Sequence, residues 1–210
     1  EGPIIMLLTA STALAKDLPS YKKLFKYMLV MSVALSLIHI IIAFTPIFYF
    51  VAENLMNVPS SIIEPGRVGL QIMTPWTIMI AWRRLNQGVM IKHGNSTIVA
   101  IGTLIRLLTL IAVLSYGRWL SNFSGIVVGA SAVALAVTAE ALYAQLAVRS
   151  ILKNKMALQT KSFVVNRKQF TSFYIPLAIT PLASLLIHPA GSAGMSRMPD
   201  ALSSLAAWTV

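Results

Sequence analysis

Two ionisable residues lie deep inside long apolar segments, where a charge is costly. Arg106 lies in the run Thr97–Tyr116, and Glu140 lies in the run Ser124–Val148. A charged side chain near the centre of a membrane helix costs roughly 2.5–3.5 kcal/mol on insertion scales, so each residue needs a partner or a water-filled cavity. The two could form an ion pair, relay charge or contact a substrate.

The positions of these residues predict that they meet. Arg106 follows the start of its run by nine residues, and Glu140 precedes the end of its run by eight. In consecutive antiparallel helices rising about 1.5 Å per residue, both would lie roughly 12–14 Å from the same membrane face. A salt bridge between them would either lock two helices together, which requires no transport role, or line a substrate pathway.

Small residues follow helical spacing on the Glu140 face and begin with a Gly-x-x-x-Gly pair: Gly125, Gly129, Ala132, Ala136 and Ala144. Such a stripe permits close approach of helices, so we expect Glu140 to face protein and not lipid.

Four further polar residues lie in or beside the apolar runs. His39 could carry a proton near neutral pH or bond a neighbouring helix. Gln71, near Pro75, could line a cavity or bond the backbone around a proline kink. Arg83 and Arg84 are expected to extend toward the cytoplasmic lipid headgroups.

Motifs for catalysis are absent from the sequence. It contains no Gly-x-Ser-x-Gly, no His-Glu-x-x-His and no phosphate-binding glycine loop. Three widely separated histidines and zero cysteines make no metal site. We therefore expect no enzymatic activity, no metal and no cofactor.

Five long apolar runs must position these residues: Tyr27–Ala52, Val68–Ile91, Thr97–Tyr116, Ser124–Val148 and Phe170–Ile187. Each is long enough to cross, or nearly cross, a hydrocarbon core about 30 Å thick. They lack the period-two alternation of barrel strands, so they are predicted to be helices. A chain that is 57% hydrophobic with a mean hydropathy of +0.76 is typical of a membrane protein. The predicted fold is an all-α, multi-pass helical bundle integral to the membrane.

Basic residues concentrate on every second connection. Three connections are strongly basic and together contain a single acid, Asp17: Lys16–Lys26, Arg83–Gly94 and Arg149–Lys168. The positive-inside rule places these connections in the cytoplasm of a plasma (bacterial inner) membrane, with Glu1 on the outer side. The net charge of +11 therefore indicates contact with anionic lipid headgroups rather than with nucleic acid.

Residues 1–15 and 201–210 are apolar but too short to span a bilayer. They are interpreted as partial helices of a longer transporter, and the alternative is a pair of short re-entrant or interfacial segments.

Several segments resemble the multidrug/oligosaccharidyl-lipid/polysaccharide (MOP) exporter superfamily, which includes the multidrug and toxic compound extrusion (MATE) transporters. The second helix and following loop of that family are similar to Gly2–Lys26, GPIIMLLTASTALAKDLPSYKKLFK. The end of the fourth helix is similar to Trp82–Ser96, WRRLNQGVMIKHGNS, and the sixth helix to Gly125–Ala147. Trp82–Ser96 and the run LIHIIIAF around His39 also resemble progressive-ankylosis-type exporters.

The resemblance implies two six-helix lobes, with helices two to eight present here. Residues 1–148 would form most of the first lobe, 149–169 a cytoplasmic linker and 170–210 the start of the second lobe. A plain solvated loop is equally compatible with residues 149–169. The resemblance also implies secondary active export or flipping by alternating access, coupled to a proton or sodium gradient. The acidic coupling sites of the family, in its first and seventh helices, have no counterpart here, so no residue is assigned to ion coupling.

An arginine in the fifth helix of this family would suit an anionic or lipid-linked substrate better than a cationic drug. An exporter or flippase would have a central polar cavity lined by His39, Gln71, Arg106 and Glu140. A non-transporting membrane scaffold or assembly subunit would instead be a solid bundle in which Arg106 and Glu140 pair completely. A lipid-modifying intramembrane enzyme would need acid–base residues that converge at one membrane face.

Overall fold

The computed structural model describes residues 2–55, 60–120, 123–158 and 165–195, and every regular element in these ranges is helical. In chain order the α-helices are α1 (Gly2–Ile5), α2 (Leu7–Leu14), α3 (Leu18–Phe44), α4 (Ile47–Phe50), α5 (Ser60–Ile72), α6 (Trp76–Lys92), α7 (Ser96–Leu120), α8 (Gly125–Ile151) and α9 (Arg167–Met195). Two π-helical segments, Val51–Leu55 and Leu152–Met156, continue α4 and α8. Glu1, residues 159–164 of the predicted linker and the predicted partial helix 201–210 lie outside the described residues.

Three helical segments are long and apolar enough to cross a membrane: Leu18–Phe44, Ser96–Gly117 and Gly125–Met156. Only 22%, 6% and 39% of their most apolar windows are buried. On α7, for example, Leu104, Leu108 and Ile111 are 53%, 57% and 51% exposed. Apolar surface of this extent is unfavourable in water and suits contact with lipid. The structure is therefore that of an all-α membrane protein, as the composition predicts.

Two of the apolar runs break into separate helices at prolines. In Tyr27–Ala52, α3 ends at Phe44 and Pro46 is the N-cap of α4. In Val68–Ile91, α5 ends at Ile72 and Pro75 is the N-cap of α6. Proline lacks the backbone N–H that would continue the helical hydrogen bonds, and its ring clashes with the preceding turn. The kink predicted at Pro75 is therefore an interruption of the helix, which separates α5 from α6.

The start of α3 is fixed by a capping box. The Ser20 backbone N–H donates to Asp17 Oδ1 at 2.9 Å, and the Asp17 backbone N–H donates to Ser20 Oγ at 2.9 Å. Both residues are buried. Such a cap contributes about 1 kcal/mol to helix stability and sets where the chain turns from α2 into α3.

The core lies around α6, which packs against α2, α3 and α8. At Gly88, a side-chain carbon would overlap Ser11 Oγ and the carbonyl oxygen of Leu8. The hydroxyl of Thr12 also donates to the carbonyl oxygen of Gly88 at 3.2 Å. The apolar residues 4–14 are therefore part of the bundle and pack directly against α6.

Candidate functional site

Glu140 is the most deeply buried acid in the membrane-spanning helices that the structure describes, with a side chain only 1% exposed. Ala132, Ala136 and Ala144, one or two turns away on the same face of α8, are also buried. A carboxylate removed from water needs opposite charge and hydrogen bonds to remain ionised. The prediction that Glu140 faces protein is confirmed.

Both carboxylate oxygens of Glu140 are bound from α6. Arg83 Nη1 donates to Oε2, and Gln87 Nε2 donates to Oε1 at 2.9 Å. Arg83 and Gln87 are four residues apart, so they lie on one face of α6 and reach the same carboxylate. Glu140 is thus held to α6 by one ion pair and one hydrogen bond.

The expectation that Arg83 extends to the lipid headgroups is wrong. Its side chain is 5% exposed and forms the ion pair with Glu140. The helix α6 continues to Lys92, nine residues beyond Arg83, so this arginine lies about 14 Å inside the end of its helix. Arg84, on a different face, is half-buried. Sequence reasoning missed Arg83 and Gln87, although their spacing on a helix that also carries Asn86 was a usable signal.

Arg106 contacts Glu140 as predicted, but as a second and looser partner. Its Nε atom lies 3.5 Å from Glu140 Oε2, and its side chain is 41% exposed. At Gly102, one turn away on α7, an added Cβ would lie 3.5 Å from Glu140 Cγ and 3.3 Å from Tyr143 Cδ1. The missing side chain at Gly102 therefore lets α7 lie directly against α8 at the level of the carboxylate.

Beside Arg106 lies a cavity of about 300 Å³. It is lined mainly by apolar residues of α7 and α8, with the tip of α6: Trp76, Thr103, Arg106, Leu107, Leu110, Val133, Ala136 and Val137. The guanidinium is the sole charged group of this lining. An arginine in such surroundings can bind a carboxylate or phosphate through two parallel hydrogen bonds.

A second polar cluster joins α3, α6 and α8. Tyr21 Oη donates to Asn86 Oδ1 at 2.9 Å, and Asn86 Nδ2 donates to Gln145 Oε1 at 3.0 Å. Trp82 Nε1 donates to the same Gln145 oxygen at 2.8 Å. These bonds fix the position of α6 against α8 and therefore the position of Arg83 against Glu140.

Positive charge exceeds negative charge around Glu140. Arg83, Arg84 and Arg106 all act on or near the one carboxylate. The Nε atoms of Arg83 and Arg84 are buried and have no hydrogen-bond partner among the described residues. The cluster therefore retains unused donors and a net positive charge, a combination that favours an anion.

His39 and Gln71 lie in a different contact. His39 Nε2 lies 2.9 Å from the carbonyl oxygen of Leu70, and Gln71 Nε2 donates to the carbonyl oxygen of Ala43 at 3.1 Å. Each side chain thus bonds a backbone carbonyl across the α3–α5 interface. Of the four residues predicted to share a cavity, the structure brings Arg106 and Glu140 together, and Arg106 alone belongs to the lining described above.

No family model, curated protein or solved structure matches the chain. The resemblance to MOP exporters therefore stays a prediction. Among the described residues there is also no cluster of three or more His, Asp or Glu side chains that could hold a metal ion. The chemistry that this part of the chain offers is the arginine–glutamate cluster and its cavity.

Proposed function

We propose that the protein is a secondary active exporter or flippase of the MOP type, working by alternating access in the plasma membrane with its basic connections in the cytoplasm. The substrate would be anionic, either a small molecule or a lipid-linked phosphate. The observation that supports this proposal is Arg106, a half-exposed cation that borders a mainly apolar cavity and is only loosely paired with Glu140.

The unequal pairing of Glu140 suggests how the site works. Arg83 is buried and pairs with Glu140, so the carboxylate has an oppositely charged partner without Arg106. Arg106 can therefore leave its 3.5 Å contact and bind an anion in the cavity. When the anion departs, Glu140 again compensates the charge of Arg106, which lowers the cost of an empty site in the membrane. A gradient of protons or sodium ions would drive the cycle.

The test is transport by protein reconstituted in phosphatidylethanolamine–phosphatidylglycerol liposomes. Two probes distinguish the substrate classes: radiolabelled inorganic phosphate for a soluble anion and fluorescently labelled phosphatidylglycerol for a lipid. We expect gradient-dependent movement of one probe, and Arg106→Ala to slow it by about tenfold or more, since a hydrogen bond to a charged group contributes roughly 1.5–3 kcal/mol.

Lys153→Ala is the matched control, because Lys153 is an exposed cation on the basic segment after α8 and is remote from the cavity. It should transport at the wild-type rate. Movement of neither probe would overturn the proposal, and equal rates for wild type and Arg106→Ala would remove Arg106 from the transport mechanism.

A non-transporting scaffold is the second candidate, and the double attachment of Glu140 to α6 favours it. Arg83 and Gln87 together bind both carboxylate oxygens, which is what a structural lock between two helices requires. A scaffold would show no transport, and its Arg106→Ala variant would retain assembly and stability.

A further inference from the structure

A groove of about 450 Å³ lies between α3 and α9, away from the arginine–glutamate cluster. It is lined by residues of the first half of α3 and of the start of α9: Lys26, Tyr27, Val30, Met31, Ala34, Arg167, Phe170 and Thr171. None of these residues takes part in the proposed transport site. The groove is therefore a separate feature that calls for its own explanation.

The lining divides into a cationic end and an apolar body. Lys26 and Arg167, both exposed, supply the positive charge. Val30 and Ala34 follow Lys26 by four and eight residues, so they continue one face of α3 for about 12 Å beyond the lysine. This arrangement has the shape and polarity of a phospholipid, with a charged head above a hydrocarbon chain.

Two aromatic residues, Tyr27 and Phe170, belong to the lining of the groove. The rings of Tyr27 and Phe170 lie 4.7 Å apart, and Phe170 stacks on Tyr174 at 4.9 Å. The hydroxyl of Tyr27 is buried and has no hydrogen-bond partner among the described residues. The rings of Tyr27 and Phe170 give the groove an apolar wall that suits the acyl chain of a lipid.

Charge complementarity identifies the headgroup. In the described part of the chain, neither Lys26 nor Arg167 forms an ion pair with a carboxylate. Lys22, Lys23 and Lys168 lie nearby in sequence and are exposed. Lys26 and Arg167 lie in the two basic segments Lys16–Lys26 and Arg149–Lys168, which the charge pattern assigns to the cytoplasmic side. Clustered basic side chains at the cytoplasmic surface of a membrane attract the anionic lipids of that leaflet.

We propose that the groove binds one anionic glycerophospholipid of the cytoplasmic leaflet, with its phosphate between Lys26 and Arg167 and an acyl chain along Val30, Met31 and Ala34. The bound lipid fills the space between α3 and α9 and links the two helices. This site does not depend on the proposed transport function and would exist equally in a scaffold.

The experiment is native mass spectrometry of the purified protein with phosphatidylglycerol or phosphatidylcholine of identical acyl chains. We expect one retained phosphatidylglycerol per chain, bound roughly tenfold more tightly than phosphatidylcholine. The double variant Lys26→Gln/Arg167→Gln should lose this selectivity. Ala34→Trp, which fills the apolar body from an exposed position, should weaken the binding of both lipids.

Two matched variants separate the groove from the rest of the surface. Lys153→Gln removes an exposed cation elsewhere, and Leu146→Trp adds bulk at a position on α8 that is 61% exposed. Both should bind phosphatidylglycerol as the wild type does. Thermal unfolding with and without phosphatidylglycerol provides a second readout, in which the lipid should raise the Tm of the wild type and not of the double variant.

Equal retention of the two lipids by the wild type, or unchanged selectivity in the double variant, would overturn the proposal. Displacement of the lipid by millimolar inorganic phosphate would also overturn it, because the site would then belong to a soluble anion.

Discussion

Glu140 is held by two arginines that differ in burial and distance. Arg83 is buried and hydrogen-bonded to the carboxylate, whereas Arg106 is 41% exposed and lies 3.5 Å away. Removal of one partner of a buried ion pair leaves an uncompensated charge, but removal of an exposed partner costs little. In the transport proposal, Arg83 is therefore the structural partner of Glu140, and Arg106 is the partner that can leave it.

This difference predicts unequal effects of two similar substitutions. Arg83→Gln should destabilise the protein by roughly 3–5 kcal/mol, and Arg106→Gln by less than about 1 kcal/mol. The double variant Arg83→Gln/Glu140→Gln should be more stable than Arg83→Gln alone, because it contains no buried carboxylate that has lost its buried partner. Thermal unfolding in lipid nanodiscs measures all three variants. Equal losses for Arg83→Gln and Arg106→Gln would contradict the assignment of roles.

Depth in the membrane was enough to predict the contact between Arg106 and Glu140, since both residues lie inside uninterrupted helices. The same reasoning failed for Arg83. Arg83 and Arg84 are adjacent to a basic connection, and sequence does not show which of two neighbouring arginines faces inward. The rotation of α6 decides this, and it is set by Gly88 against α2 and by Asn86 against Gln145.

Helix packing depends on glycine where α2 crosses α6. A methyl group at Gly88 would overlap Ser11 Oγ and the carbonyl oxygen of Leu8, and the backbone oxygen cannot move aside without moving α2. At Gly125 and Gly129, by contrast, an added Cβ would meet nothing within 4 Å. The Gly-x-x-x-Gly pair of α8 is therefore not a close contact within the described chain, and the buried alanines farther along the helix pack there instead.

Gly88→Ala should consequently destabilise the protein by about 1–3 kcal/mol, because overpacking forces the helices apart. Gly125→Ala is the matched control, and it should be neutral or stabilising by up to about 1 kcal/mol, since alanine favours a helix over glycine. Thermal unfolding of the two variants in the same detergent provides the comparison. A Gly88→Ala variant as stable as Gly125→Ala would show that α2 does not pack on α6 as described.

Elements were predictable from sequence wherever apolar runs lacked proline. The runs Thr97–Tyr116 and Ser124–Val148 correspond closely to α7 and α8. In Val68–Ile91 the helix is interrupted before Pro75, which is the N-cap of α6. Apolar content alone does not distinguish a kinked helix from two separate helices. The contacts of His39 and Gln71 with backbone carbonyls across the α3–α5 interface could not be predicted from sequence, because they depend on how α5 packs beside α3.

At the scale of the whole molecule, the distribution of exposed apolar and charged side chains indicates a membrane environment. Exposed apolar side chains cover α3, α7 and α8, whereas most cations outside the cluster of Arg83, Arg84 and Arg106 lie near helix ends and in connections. Such a distribution stabilises the fold only if a hydrocarbon layer covers the helices and the cations remain at its surface. Both the transport proposal and the lipid groove depend on this placement, since each assigns its charged residues a defined depth.

The most direct test of that placement is labelling of single cysteines from one side of the membrane, which is convenient because the chain contains no cysteine. Asn54→Cys and Ser124→Cys are exposed positions on the predicted outer side, and Lys22→Cys and Asn154→Cys are exposed positions on the predicted cytoplasmic side. In right-side-out vesicles, a membrane-impermeant maleimide should label the first pair at once and the second pair only after permeabilisation. Labelling of Asn54→Cys and Asn154→Cys from the same side would contradict the alternating topology on which the account rests.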